Sequence, residues 1–187
     1  MNLEIVRGLL LNNRDNNNIL KIIQAQNLQD AWLCAGTIRN FIWNYLSNNP
    51  NFDQATDVDV VFNDPAITYE ETVEIEQELK HAYPEYEWEL KNKVYMHPHN
   101  PNTEPYESSR DAISKFPECC TAIGARLIDD HLEIFCPYGI EDIIQFKVRP
   151  TPHFQNNPER MKKYKERVLS KNWQIRWTKI QLEEVYG

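Results

Sequence analysis

Between residues 31 and 62 the hydrophobic rhythm changes twice, and this restricts the fold more than any other feature of the chain. AWLCAG at 31–36 is a short apolar run that stops on a glycine, the pattern of a buried strand. Ile38, Phe41, Ile42, Tyr45 and Leu46 then recur at i, i+3, i+4, i+7 and i+8, a continuous stripe along one side of a helix. After SNNPNF, the segment DVDVVF at 57–62 returns to strand composition and ends at Asn63, Asp64 and Pro65. A strand–helix–strand unit needs a sheet and a helix layer to share one core.

The flanks extend that reading. Leu3, Val6 and Leu10, then Ile19, Ile22 and Ile23, predict two short helices parted by NNRDNNN. YEETVEIEQELKHAY predicts an amphipathic helix with Val73, Ile75 and Leu79 inward, and YEWEL predicts a strand. Three prolines mark 97–107 as a loop, SRDAISKF predicts a short helix, and CCTAIGARLIDDHLEIF reads as two strands turned at Asp129 and Asp130. YGIEDIIQF suggests a small helix, and from Pro158 a basic helix carries Met161, Tyr164 and Val168 on one side. This order makes a mixed α/β or α+β domain. One domain is expected over 1–187, with N-terminal helices at 1–30, a central core at 31–150 and a basic helical extension at 151–187.

The 187 residues carry a net charge of −8, which argues against non-specific binding to nucleic acid, since that needs a surplus of lysine and arginine. No run approaches the roughly 20 apolar residues needed to span a bilayer. The N-terminus lacks a signal-peptide pattern, so no membrane partner and a cytoplasmic location are expected. Cys34, Cys119, Cys120 and Cys136 show no metal-ligand spacing and read as reduced thiols.

Side chains alternate along a strand, so Asp57 and Asp59 share a face while Val58 and Val60 point into the core. Two like charges side by side repel unless a cation lies between them, and paired carboxylates are a ligand set for Mg²⁺ or Mn²⁺, whose shell substrate phosphates commonly complete. Gly36 and Thr37 stand where a strand meets a helix N-terminus, where unpaired amides favour an anion. Arg39, off the apolar stripe, can reach an anionic group or pair with one of the acids.

AGTIRNFIWNYL followed by TDVDVVF resembles the Gly-[Gly/Ser/Thr] … Asp-x-Asp signature of the DNA polymerase β-type nucleotidyltransferase superfamily, and GTIRN resembles the glycine-rich start of tRNA nucleotidyltransferases. WELKNKVYMH, SSRDAI, FPECCTAIGARL, LEIFCPYGIEDI and the pattern Tyr164, Arg167, Lys171, Trp173 resemble a bacterial family of small nucleotidyltransferase-like proteins of unassigned substrate, over about residues 30–180. The resemblance implies a polymerase β-like fold, a small mixed sheet flanked by helices with a C-terminal helical extension. It also implies metal-dependent transfer of a nucleotidyl group from an NTP to an acceptor: a small molecule, a protein side chain or a short RNA. Asp57 and Asp59 would hold the metal, Gly36, Thr37 and Arg39 the nucleotide, and Asn92 and Lys93 would touch substrate. The chain departs from the pattern in carrying Thr37 where Gly or Ser is usual. The third carboxylate is not announced by spacing. Glu89 and Glu133 are both candidates, and Glu89, one helix after the aspartate strand, is the more natural neighbour. An inactive nucleotide-binding or regulatory module with the same fold is the alternative.

Two further features have plain readings beside sharper ones. His97-Pro98-His99 places two imidazoles together, as a zinc site would, but reads better as a loop without ligands. The cations Arg160, Lys162, Lys163, Lys165, Arg167 and Lys171 form either a solvated helix face or a wall closing on the site, with Trp173 and Trp177 anchoring the tail.

Overall fold

The computed structural model describes residues 1–185. Helices α1 (Leu3–Asn12) and α2 (Arg14–Ala25) meet at Asn13, which ends the first and caps the second by accepting from the Asn16 amide. Strand β1 (Trp32–Cys34) runs into α3 (Gly36–Leu46), followed by β2 (Asp57–Phe62), α4 (Tyr69–Ala82) and β3 (Glu87–Asn92). Thr68 and Glu71 form a reciprocal capping box at the start of α4. Helix α5 (Ser109–Ser114) precedes the hairpin of β4 (Gly124–Ile128) and β5 (His131–Phe135). The chain continues through α6 (Glu141–Ile144), β6 (Lys147–Val148), α7 (Pro152–Gln155), α8 (Pro158–Lys171), α9 (Trp173–Arg176) and β7 (Gln181–Leu182).

The larger sheet has the order β3-β2-β1-β4-β5. Strands β2 and β3 are parallel, joined by the α4 crossover, and the remaining pairs are antiparallel. This is the mixed α+β architecture expected. Leu33, Val58, Val60, Phe62, Trp88 and Leu90 face the main core with Val6, Leu10, Ile19 and Ile38. On the opposite face Trp32, Cys34 and Val61 gather a smaller cluster with Ile113 and Ala122, and the rest of that face is open to a cleft.

Several elements differ from the sequence reading. Tyr45 is 40% exposed, and the inward position belongs to Trp43, which is fully buried. Trp43 stacks on Phe146 and meets Trp173 and Trp177 edge-on or tilted, so α3 is packed on two sides and its apolar surface is wider than one stripe. Val73 is exposed and Thr72 turns inward instead, because the Thr72 hydroxyl is satisfied by the Thr68 carbonyl. Cys119–Thr121 and His97–His99 form 3₁₀ turns. The parallel β6–β7 pair is too short to leave a pattern, yet it returns the C-terminal segment to the core, where the Tyr164 hydroxyl donates to the Glu183 carbonyl at 2.7 Å. No helix among the described residues is long and apolar enough to cross a membrane.

Candidate active site

Register aligns one row across the open face: Cys34 pairs with Asp59, and Asp59 with Glu89. Asp57 lies one step along, opposite Glu87. Directly opposite residues share a face, so the acids of β2 and the first half of β3 are brought together by strand pairing. The turn from β1 into α3 passes through Ala35 at φ 57, a conformation that costs an L-residue on the order of 1–3 kcal/mol. It brings Gly36 against Asp59: a Cβ built on Gly36 would lie 3.2 Å from Arg39 Nη2 and 3.5 Å from Asp59 Oδ2. Gly36 therefore permits a close approach, and its amide donates to the Asp59 carboxylate.

Thr37 has a different role from the one its position suggested. Its hydroxyl donates to the Asp57 carbonyl at 2.9 Å and accepts from the Asp59 amide at 2.9 Å. It fastens α3 to the backbone of the two aspartates and does not face the cleft.

Burial raises the Asp59 carboxyl, and the neighbouring charges of Glu89 and Asp57 raise it further, to about 7, against the opposing pull of Arg39 and the Gly36 amide. Burial also pushes the Cys34 thiol far up, leaving it a neutral packing residue.

Facing these acids is a cationic wall around a cleft of about 460 Å³, supplied by Arg39, Lys91, Lys93, Arg167, Lys171 and Arg176. Arg39 is buried with its guanidinium over the rings of Trp43 and Trp173, 5.0 and 4.4 Å from their centroids. Its Nη1 donates to Thr121 Oγ1 at 2.7 Å, and that hydroxyl donates to Glu118 Oε1 at 2.7 Å. Glu118, with no exposed surface, accepts from Arg167 Nε and Nη2 at 2.9 and 3.2 Å. Burial alone would raise the Glu118 carboxyl, but Arg167 and Arg39 outweigh it and hold it below the ordinary range. One buried carboxylate thus fixes an arginine from α8 and, through Thr121, an arginine from α3. At the rim Arg176 pairs with Asp53 at 2.6 Å.

Of the expected site residues, Gly36, Arg39, Asp57, Asp59, Glu89 and Lys93 converge on this cleft. Asn92 does not. Its side chain donates to the Asp64 and Ile67 carbonyls and accepts from the Asp64 and Val94 amides, so every polar atom is spent holding the loop after β2. Glu133 lies on β5, across the sheet from the acids, held by Arg126 and Arg110. His99 gives its carbonyl to Lys163, and Arg160 donates to the Pro101 and His153 carbonyls. Those cations serve the 97–107 loop, whereas Arg167 and Lys171 face the cleft. Sequence reasoning missed Lys91, Thr121, Glu118 and Arg176. Only Lys91 carried a signal, at two residues from Glu89 on the same strand face.

Among the described residues no three His, Cys, Asp or Glu side chains form a ready-made metal cage. The donor set nevertheless suits a hard divalent ion: all-oxygen ligands, an Asp59 carboxyl raised by burial and then by the repulsion of its neighbours, and coordination positions left for water and phosphate as Mg²⁺ prefers.

The family model described as nucleotidyltransferase matches residues 21–182. A solution structure described as revealing a CCA-adding enzyme head domain is 49% identical, with a TM-score of 0.91, covering 96% of this chain and 95% of that one. A tRNA nucleotidyltransferase complexed with a primer tRNA and an incoming ATP analog is 15% identical with a TM-score of 0.51, covering 89% of this chain and 47% of that one. A CCA-adding enzyme in its apo form is 10% identical with a TM-score of 0.55, covering 98% and 43%. These last two likenesses concern the fold, and the chain spans less than half of either. No curated protein matches the chain.

Proposed function

The chain belongs to the nucleotidyltransferase family, and we propose that it moves a nucleotidyl group from an NTP to a hydroxyl acceptor in the cleft bounded by β2, β3, α3 and α8. The observation that carries this reading is the row of Asp59 and Glu89, with Asp57 one step along, against the Gly36 amide and an arginine-rich wall.

Asp57 and Asp59 would hold a magnesium or manganese ion, which when bound supplies positive charge to the phosphates. Arg39 and Arg167, aimed by Glu118 and Thr121, meet phosphate charge without having to reorganise. Gly36 lets the triphosphate approach the start of α3. The acceptor oxygen bonds to the α-phosphorus while the bond from that phosphorus to the α–β bridging oxygen breaks, and pyrophosphate leaves with that electron pair. The acceptor's proton passes to the carboxylate of Glu89, on the open edge strand. Trp173 and Phe116 line the same cleft and keep part of its wall apolar.

Calorimetric titration with Mg²⁺ and ATP, followed by measurement of pyrophosphate release with a panel of acceptors, tests this. The wild-type chain binds and turns over, and Asp57→Asn or Asp59→Asn lowers release by about a hundredfold or more. Binding with no release in wild type would leave a nucleotide-binding module that keeps the fold without the chemistry.

A further inference from the structure

The arginines of the cleft are held in two different ways. Arg167, and Arg39 through Thr121, answer to Glu118, which has no exposed surface, so nothing entering the cleft reaches their counter-charge. Arg176 answers instead to Asp53, 2.6 Å away, and both of these residues line the cleft itself. Their side chains are 41% and 28% exposed. An ion pair open to water contributes little, and a polyphosphate brings several negative charges against the one on Asp53.

The surroundings let Arg176 change partner. Trp173 and Trp177, both buried, pin α9 on either side of it, so an exchange asks for a side-chain rotation and no movement of the helix. The contacts of Arg176 with Asp53 and, at 3.5 Å, with Asn44 Oδ1 both use Nη2. Among the described residues this leaves Nε and Nη1 for phosphate oxygens, which the guanidinium fork suits. Asp53 stays satisfied when Arg176 leaves: its Oδ1 accepts from the Ala55 amide at 2.9 Å and its carbonyl from the Thr56 amide at 3.0 Å. The turn that leads into Asp57 therefore survives the exchange.

We propose that Asp53 is a built-in competitor for the polyphosphate. It holds Arg176 when no phosphate is present, gives it up to the phosphates of an incoming nucleotide, and takes it back as pyrophosphate leaves. This rests on the function proposed above, which puts an NTP in the cleft. The pair weakens the grip of the cleft on substrate and product alike, and in doing so it speeds product release, a step that limits many enzymes.

The test is a double-mutant cycle, read as affinity by calorimetry in the presence of Mg²⁺, with a non-hydrolysable ATP analogue and, separately, inorganic pyrophosphate. Asp53→Asn keeps an oxygen for the Ala55 amide and removes the charge, and Arg176→Gln removes the receptor. Asp53→Asn is expected to tighten both ligands by about fivefold, and Arg176→Gln to weaken both by about tenfold. In the Arg176→Gln background, Asp53→Asn should change affinity by less than about twofold. A gain that keeps its full size in that background would overturn the proposal, because it would come from the general field of a lost charge. So would the absence of any gain from Asp53→Asn, or of any loss from Arg176→Gln. Wild type supplies a readout that depends on no variant: pyrophosphate shifts the Arg176 Nε–Hε signal in NMR spectra, and an unmoved signal in the bound state would sink the exchange. Pyrophosphate binding without binding of the ATP analogue would defeat the nucleotide reading and still decide the exchange, and binding of neither would defeat both.

Discussion

The hydroxyl of Thr37 stands between the carbonyl of Asp57 and the amide of Asp59, so one side chain fixes how two acids are held relative to the helix that starts beside them. Thr37→Val keeps the shape and loses both hydrogen bonds. It is expected to lower stability by about 1–3 kcal/mol, measured by denaturant unfolding, and to reduce nucleotide transfer, while Thr37→Ser preserves both. Equal stability of the valine and serine variants would show that the bridge contributes nothing. From sequence alone this role is out of reach: a hydroxyl in the first turn of a helix can face an incoming anion or an adjacent strand, and only the packing of α3 on β2 decides. Asp57 and Asp59 are legible because a strand's two-residue period is local. Glu89 and Glu133 are not distinguishable that way, since both sit on strands with the right alternation and only pairing across the sheet puts one beside Asp59 and the other beside Arg126.

Helix α8 shows the same limit at the next scale. Its cations look alike along the sequence, but the fold divides them between the 97–107 loop and the cleft. The divider is Glu118, at the 3₁₀ turn before β4, whose carboxylate is wholly enclosed and paired with Arg167. Glu118→Gln leaves the half-buried Arg167 guanidinium short of its enclosed counter-charge, and a loss of about 2 kcal/mol is expected. Amide exchange is expected to rise most in α8 and α9, with weakened ATP-analogue binding. Unfolding in which α8 keeps its protection relative to α2 would contradict this role for Glu118. Tyr164 and Val168 were readable as the inward side of α8 because three- and four-residue spacing is local. The β6–β7 pair that ties down the C-terminal segment was not, because two residues carry no period.

At the scale of the whole molecule, the net charge of −8 hides a division between an acidic exterior and a cleft whose walls carry opposite signs. The expectation of no non-specific nucleic-acid binding came from that sum, which says nothing about the cleft. The division also makes stability depend on pH. Asp59 holds its proton up to about pH 7 in the folded chain, against 3.8 ordinarily. The folded state therefore binds the proton more tightly than the unfolded one, and this group's contribution to stability falls as pH rises from about 4 to 7 and stays low above. Asp59→Asn cannot ionise, so it is expected to be more stable than the parent by about 4 kcal/mol at pH 8 and about equal near pH 4. Magnesium, by offsetting the same charge, should narrow the difference at pH 8. Urea unfolding across this range, with and without the ion, checks both statements, and a gap that ignores pH would refute them.

Three indoles, Trp43, Trp173 and Trp177, crowd together where α3 meets the returning tail, and the Arg39 guanidinium lies over two of them. Ring dipoles this close couple and take on the handedness of their surroundings. A ligand whose negative charge settles beside Arg39 changes the field across those rings, so the protein carries its own chromophore for occupancy of its cleft, with no label added.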